Sequence, residues 1–150
     1  MQGMPLAAER LRAENVKVKL DNGAQMPTRS HADDAGLDLY SMRDGYVFAG
    51  EHEVFDTGVH VAIPQGYVGL LTSKSGLMGK GITSRGTIDS GYTGSIKAVL
   101  FNHGSEAYLV RKGDKITQLV LLPIITPELE LVDELENTDR AEKGFGSSGR

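Results

Sequence analysis

Turn-forming residues interrupt this chain so often that no long helix fits between them. Asn22-Gly23, Gly36, Gly45, Gly50, Gly58, Pro64 with Gly66, three glycines in 76–81, two in 91–94, and Gly113-Asp114 punctuate it. Glycine fills 19 of 150 positions, about 13% against a usual ~7%. No three-residue period accompanies it, so a collagen-like chain is excluded. The stretches between turns alternate apolar and polar residues with period two, the mark of half-buried strands. VKVKL (16–20) and GLDLYS (36–41) do so plainly, and Asn22-Gly23 after the first reads as a hairpin turn. Further strands are expected at 45–48, 52–56, 58–63, 66–73, 82–88, 95–102, 107–111, 115–122 and 128–132. This pattern predicts an all-β barrel or sandwich.

Composition narrows the function. A net charge of −4 and a pI near 5.5 lack the basic face that nucleic acid requires. No apolar run approaches the length of a membrane span, and no apolar leader is visible at the N-terminus. The absence of cysteine rules out disulfides and thiolate metal sites and fits a cytoplasmic protein. His31, His52, His60 and His103 lack metal-site spacing. Residues 1–15 read as an N-terminal arm, 16–132 as the β domain, and 133–150 as a glycine-rich tail.

Several stretches could carry chemistry. GTIDSGYTGSIKAVLFN (86–102) places Asp89 and Tyr92 at a turn that leads into a strand alternating Ile96, Ala98 and Leu100 with Lys97 and Val99. Gly91 and Gly94 would let its backbone take positive φ. Asp89 either directs a water beside a flat ring or caps its own turn. Lys74-Ser75-Gly76 either cradles phosphate oxygens on backbone amides or is a solvated loop. Asp38, between two leucines, points away from the core and is either exposed or near a divalent cation. Gln118, polar within KITQLVLL, has either a backbone partner or a ligand. Arg140 and Phe145 lie in a tail that is either a disordered terminus or a lid.

The order of these stretches resembles the five motifs of the trimeric deoxyuridine triphosphatase family. AGLDLYS (35–41), SKSGLMGKG (73–81), GTIDSGYTGSI (86–96), GDKITQLV (113–120) and DRAEKGFGSSG (139–149) are similar to motifs one to five. The third is the most specific, and the resemblance covers roughly residues 16–150. It implies a distorted, jelly-roll-like β-barrel (β-clip) and a homotrimer with shared active sites. The implied reaction is hydrolysis of dUTP to dUMP and pyrophosphate with Mg2+. By resemblance Asp89 activates the water. Tyr92 packs on the deoxyribose, and the backbone from Ile88 to Lys97 reads the uracil edge. Lys74, Ser75, Gly76 and Gln118 contact phosphates, and Asp38 holds Mg2+ through water. Arg140 reaches the γ-phosphate, and Phe145 with Gly146 closes over the base.

The chain departs from the family pattern at four places. Lys74 stands where arginine is frequent, which replaces a fork-shaped contact by a point charge. Ser84 is the nearest polar residue to an expected asparagine, Gly91 replaces an acid, and Lys143 replaces a tail glycine. Two rival functions share the scaffold. A dCTP deaminase needs a glutamate where this chain has Val99, and valine moves no proton. A trimer that regulates a protein partner is the other.

Overall fold

The computed structural model describes residues 15–146, 148 and 149; the arm expected over 1–15 lies outside it except for Asn15. Among the described residues, ten strands and one helical turn follow one another. They are β1 (Val18–Leu20), β2 (Leu37–Tyr40), β3 (Gly45–Val47), β4 (His52–Asp56), β5 (Val59–Val61) and β6 (Tyr67–Thr72). Then come α1 (Ser75–Met78), β7 (Ile82–Ile88), β8 (Lys97–Asn102), β9 (Tyr108–Val110) and β10 (Lys115–Pro123). All strand pairs are antiparallel. Six strands form one sheet in the order β2-β10-β6-β7-β8-β4, and β1-β5 and β3-β9 form two short ribbons. The all-β, jelly-roll-like class expected from the sequence is what the chain adopts.

Alternation builds two cores. Leu39, Val59, Val61, Ile63, Tyr67, Leu71, Ile96 and Leu119 form one, beneath the β1-β5 ribbon. Val47, Phe55, Ile82, Ala98, Leu100, Val110 and Ile116 form the other, beneath β3-β9. The sheet curls because β7 changes neighbours along its length. Ile82–Ser84 pair with β8, whereas Arg85–Ile88 pair with β6. A strand shared between two partners turns a corner in the sheet.

Three local expectations differ from the structure. Asn22-Gly23 does form a turn, with Gly23 at φ +86° and the Ala24 amide donating to the Asp21 carbonyl at 3.0 Å. It joins no hairpin, because β1 pairs with the distant β5. Residues 128–132 form no strand: Leu129 and Leu131 alternate with acids but stand fully exposed, with no sheet edge beside them. Finally, 86–102 is not a tight hairpin. β7 and β8 pair only from Ile82 to Ser84; beyond that Arg85–Ile88 pair with β6 and Lys97–Val99 with β4, so residues 89–96 join two strands that have already parted.

Candidate active site

Asp89 directly follows the last residue of β7. Ile88 is half-buried, packs on the first core and pairs with Gly69 of β6, which fixes the strand end. The next residue is released to solvent: Asp89 is exposed, and among the described residues its carboxylate has no hydrogen-bond or ion-pair partner. Its side chain does not cap the turn. The backbone carbonyl does that work, accepting from the Tyr92 amide at 3.0 Å.

Neither Gly91 nor Gly94 takes positive φ, contrary to the sequence expectation. Gly94 is needed for another reason. The Tyr92 ring folds back across it, and a Cβ there would lie 2.5 Å from the phenol oxygen. The phenol donates to the Ser95 carbonyl at 2.8 Å. The Ser95 hydroxyl donates to Asp56 at 3.2 Å and accepts from Lys97 Nζ at 3.3 Å. The Ile96 carbonyl accepts from the Thr57 amide (3.0 Å) and hydroxyl (2.6 Å), and the Ile96 amide donates to Val59 at 2.8 Å. At the tip, the His60 ring spans from Thr93 to Asp21. The turn is thus held at a fixed height above β5 while Asp89 stays free.

A second group of residues gathers where β2, β10 and β6 adjoin. Gln118 of β10 lies opposite both Asp38 of β2 and Thr72 of β6. Its amide donates to the Ser73 carbonyl at 3.2 Å, and its side chain lies where a Cβ on Gly36 would stand. Lys74 precedes α1, and its carbonyl accepts from the Leu77 and Met78 amides at 3.0 and 2.9 Å. The first amides of a helix find no partner within it, and a Cβ on Gly76 would meet nothing within 4 Å. Ser75 and Gly76 therefore offer donors next to open space. Ser30, Asp34, Gly36, Asp38, Lys74 and Gln118 line a hollow of about 270 Å³ here. The His31 amide, donating to Asp34 at 2.9 Å, holds that carboxyl below the usual carboxylate range.

Asp38 is buried, at 3% exposure. It is not the exposed strand residue that its alternation allowed. One oxygen accepts from Lys74 Nζ and the other faces Lys115 Nζ at 3.3 Å. The lysine stems cover a carboxylate that the strand alone would leave in water. A cation on Asp38 would compete with two ammonium groups for both oxygens. Among the described residues no three acids or histidines gather to hold a metal. The arrangement does not fit Mg2+ bound directly to the Asp38 carboxylate, and no step below is routed through such an ion.

The two groups are far apart within one chain. Ile88 pairs with Gly69 near the start of β6, whereas Lys74 follows its end. Five residue steps, three of them within the strand, separate these points and span at most roughly 17 Å of extended chain. In the tail, Arg140 Nε donates to the Lys143 carbonyl at 2.9 Å, and the Lys143 amide returns a bond to Arg140 at 3.0 Å. Arg140, Phe145 and Gly146 are exposed, and the structure brings none of them to either group.

Sequence reasoning missed Lys115, His60 and Asp21. Lys115 could have been suspected as a cation at the mouth of the strand that carries Gln118. His60 sits in Val-His-Val, where alternation forces the ring off the core. Its partners become visible only once β1 is known to pair with β5.

Comparison with known proteins gives a consistent result. The dUTPase family model matches residues 22–149. The deoxyuridine 5′-triphosphate nucleotidohydrolase of Clostridium acetobutylicum is 40% identical over 140 residues, covering 90% of this chain and 97% of that protein. The enzyme of the same name from Mycobacterium sp. is 45% identical over 142 residues, covering 88% and 92%. Among solved structures, a mutant dUTPase of Staphylococcus bacteriophage 80alpha with dUpNHpp superposes with a TM-score of 0.84 at 37% identity, covering 91% of this chain and 99% of that one. A mutant dUTPase of phage phi11 of S. aureus, described with a coordinated structural Mg(II) ion, gives 0.76 at 35% identity, covering 83% and 100%.

Proposed function

Because this chain belongs to the dUTPase family, we propose that it hydrolyses dUTP to dUMP and pyrophosphate with Asp89 as the base. The observation that carries the assignment of Asp89 is its free carboxylate, rigidly seated at a strand end beside an aromatic ring. The carboxylate takes a proton from water as the water oxygen bonds to the α-phosphorus. The bond from that phosphorus to the bridging oxygen breaks, and pyrophosphate leaves with the electron pair. Such chemistry depends mainly on positioning and charge neutralisation.

The remaining roles are those the family resemblance implies. Tyr92, locked across Gly94, packs on deoxyribose and leaves no room for a 2′-hydroxyl. Backbone groups between Ile88 and Lys97 read the uracil edge. Cytosine presents a donor where uracil presents an acceptor, which would leave those groups unpaired. Ser75 and Gly76 bind phosphate oxygens, with Lys74 and Gln118 behind them. Arg140, Phe145 and Gly146 close over the bound nucleotide. Mg2+ commonly keeps most of its waters and rides on substrate phosphates, so a cofactor ion can arrive with dUTP. The rival deaminase reading finds no support, since Val99 is half-buried and offers no proton. The enzyme would act in the cytoplasm and bind neither nucleic acid nor membrane. Among the described residues no helix is long and apolar enough to cross a bilayer.

The active sites are shared between copies in a homotrimer. The separation along β6 supports this reading, because a reacting phosphorus needs its base and its phosphate donors within a few ångströms. The exposed Ile125, Leu129, Leu131 and Leu135, all beyond β10, support it too, as apolar surface that a neighbouring chain would cover. The test mixes two inactive variants, Asp89→Asn with an intact tail and a chain ending before residue 139. After unfolding and random reassembly, roughly a quarter of the sites combine a sound aspartate with a sound tail. Recovery of about that fraction of activity is expected. Well-formed mixed trimers with no activity would overturn the sharing.

A further inference from the structure

His60 has no part in the nucleotide contacts assigned above, yet its ring reaches the turn that makes two of them. It lies in β5 between buried Val59 and Val61, so the pleat turns its ring to the opposite face. Nδ1 faces the Thr93 carbonyl at 2.7 Å and Nε2 faces Asp21 Oδ1 at 2.9 Å. Thr93 stands between Tyr92 and Gly94. Asp21 lies just past β1, where its amide donates to the Gly58 carbonyl at 2.8 Å. One side chain thus spans from the β1-β5 ribbon to the tip of the Asp89–Gly94 turn.

Both partners are oxygens that only accept. Each ring nitrogen can bond to them only by donating, and an imidazole has two N–H groups only when protonated. The neutral ring keeps one of the two bonds and turns a lone pair toward the other oxygen. Lys19, directly across the ribbon, and Lys17, on the rim of the same recess, add positive charge nearby. From the turn comes only the Thr93 carbonyl. That carbonyl, then the Asp21 carboxylate, raise the histidine above its ordinary value, against desolvation and Lys19.

We propose that His60 is a positioning residue for substrate binding: as the imidazolium it ties the Thr93 carbonyl to Asp21 and thereby sets the Tyr92 ring at the sugar. The inference rests on the reading of Tyr92 and Asp89 given above. Its sign follows from the direction of the shift. The tie is complete below the unfolded histidine value of about 6.5 and is lost as pH rises through the elevated folded value. On the alkaline side, KM for dUTP rises and discrimination against UTP relaxes. The turnover number changes little, because His60 touches no reacting atom.

The experiment compares wild type, His60→Ala, His60→Asn and Asp21→Asn, with Tyr92→Ala in parallel, on dUTP and UTP between about pH 6 and pH 9. Ratios of variant to wild type at each pH cancel the titration of the nucleotide itself. His60→Ala is expected to raise KM for dUTP about three- to tenfold at the acid end, the effect of one lost hydrogen bond. Its kcat should stay within about twofold. The difference should shrink toward the alkaline end, where wild type loses the tie too. His60→Asn keeps an amide donor for Thr93 without a titrating group, so it should restore most of the affinity and show no pH limb of its own. Asp21→Asn should move the limb to lower pH, and it serves if His60→Ala fails to fold. If the His60 and Asp21 variants track wild type at every pH while Tyr92→Ala does not, the proposal is overturned alone. If Tyr92→Ala also tracks wild type, the reading of the turn falls and this inference with it.

Discussion

Gly94→Ala moves the Tyr92 ring without altering its chemistry. Gly94 does not occupy the left-handed region, so alanine brings no backbone strain. It brings a methyl group that would stand 2.5 Å from the phenol oxygen and 2.6 Å from Cζ. Ordinary contact begins near 3.4 Å, so the ring must withdraw by about 0.9 Å. That motion breaks the 2.8 Å bond to the Ser95 carbonyl. One hydrogen bond on a half-exposed ring is worth about 1 kcal/mol, or roughly 2–4 °C in Tm for a chain of this size. Catalytic consequences should be much larger, since displacing a positioning group by about 1 Å costs up to about a hundredfold in kcat/KM. The assay is kcat/KM for dUTP and for UTP, with Tm measured on the same preparation. The expected result is a loss of about ten- to a hundredfold on dUTP and a smaller loss on UTP, so the selectivity ratio narrows. Tyr92→Phe, which keeps the ring and drops only the hydroxyl, should keep most of that ratio. A Gly94→Ala protein with wild-type selectivity would show that Tyr92 does not guard the 2′ position.

Three further outcomes follow from the same geometry. Asp89→Asn should cut turnover by at least about a hundredfold while isothermal titration still shows dUTP binding, because the amide fills the same space and cannot take the proton. Removing residues 139–150 should leave Tm within a few degrees, since the described residues among them are exposed and belong to neither core, yet depress dUTP turnover severely; full activity would make the tail a mere terminus. Asp38→Ala strands Lys74 and Lys115 beside each other. It should cost about 3 kcal/mol, the low end for a broken buried pair because both lysines still reach water, and lower Tm by roughly 6–12 °C at fixed protein concentration.

Strand positions were legible wherever one face is buried. Leu39, Ile96, Ala98 and Leu100 all alternate in sequence and all end in a core. Pairing was not legible. Nothing local to Asn22-Gly23 says that β1 seeks β5 rather than its neighbour, because antiparallel register over long separations is set by the whole sheet. Leu129 and Leu131 carry the strand pattern without a sheet edge to complete it. The candidate site shows the same division. Asp89, Tyr92 and Lys74 could be picked out from the order of the motifs. The ties that position them could not, because His60, Lys115 and Asp38 act across strands distant in sequence. The role of Gly94 was misjudged for a related reason: the constraint is a neighbouring ring, and the backbone dihedral is ordinary.

The distance between Asp89 and Lys74 along β6 has a consequence for rate laws. If the sites are shared as proposed, a solitary chain, however well folded, would be silent, because neither end of that strand would complete the chemistry alone. If each site draws on three copies, activity in the dilute regime rises as the cube of chain concentration and becomes linear only once assembly saturates. Output would then switch on sharply over a narrow range of expression. Early in synthesis, when few copies exist, dUTP would persist; a modest further accumulation of chains would clear it.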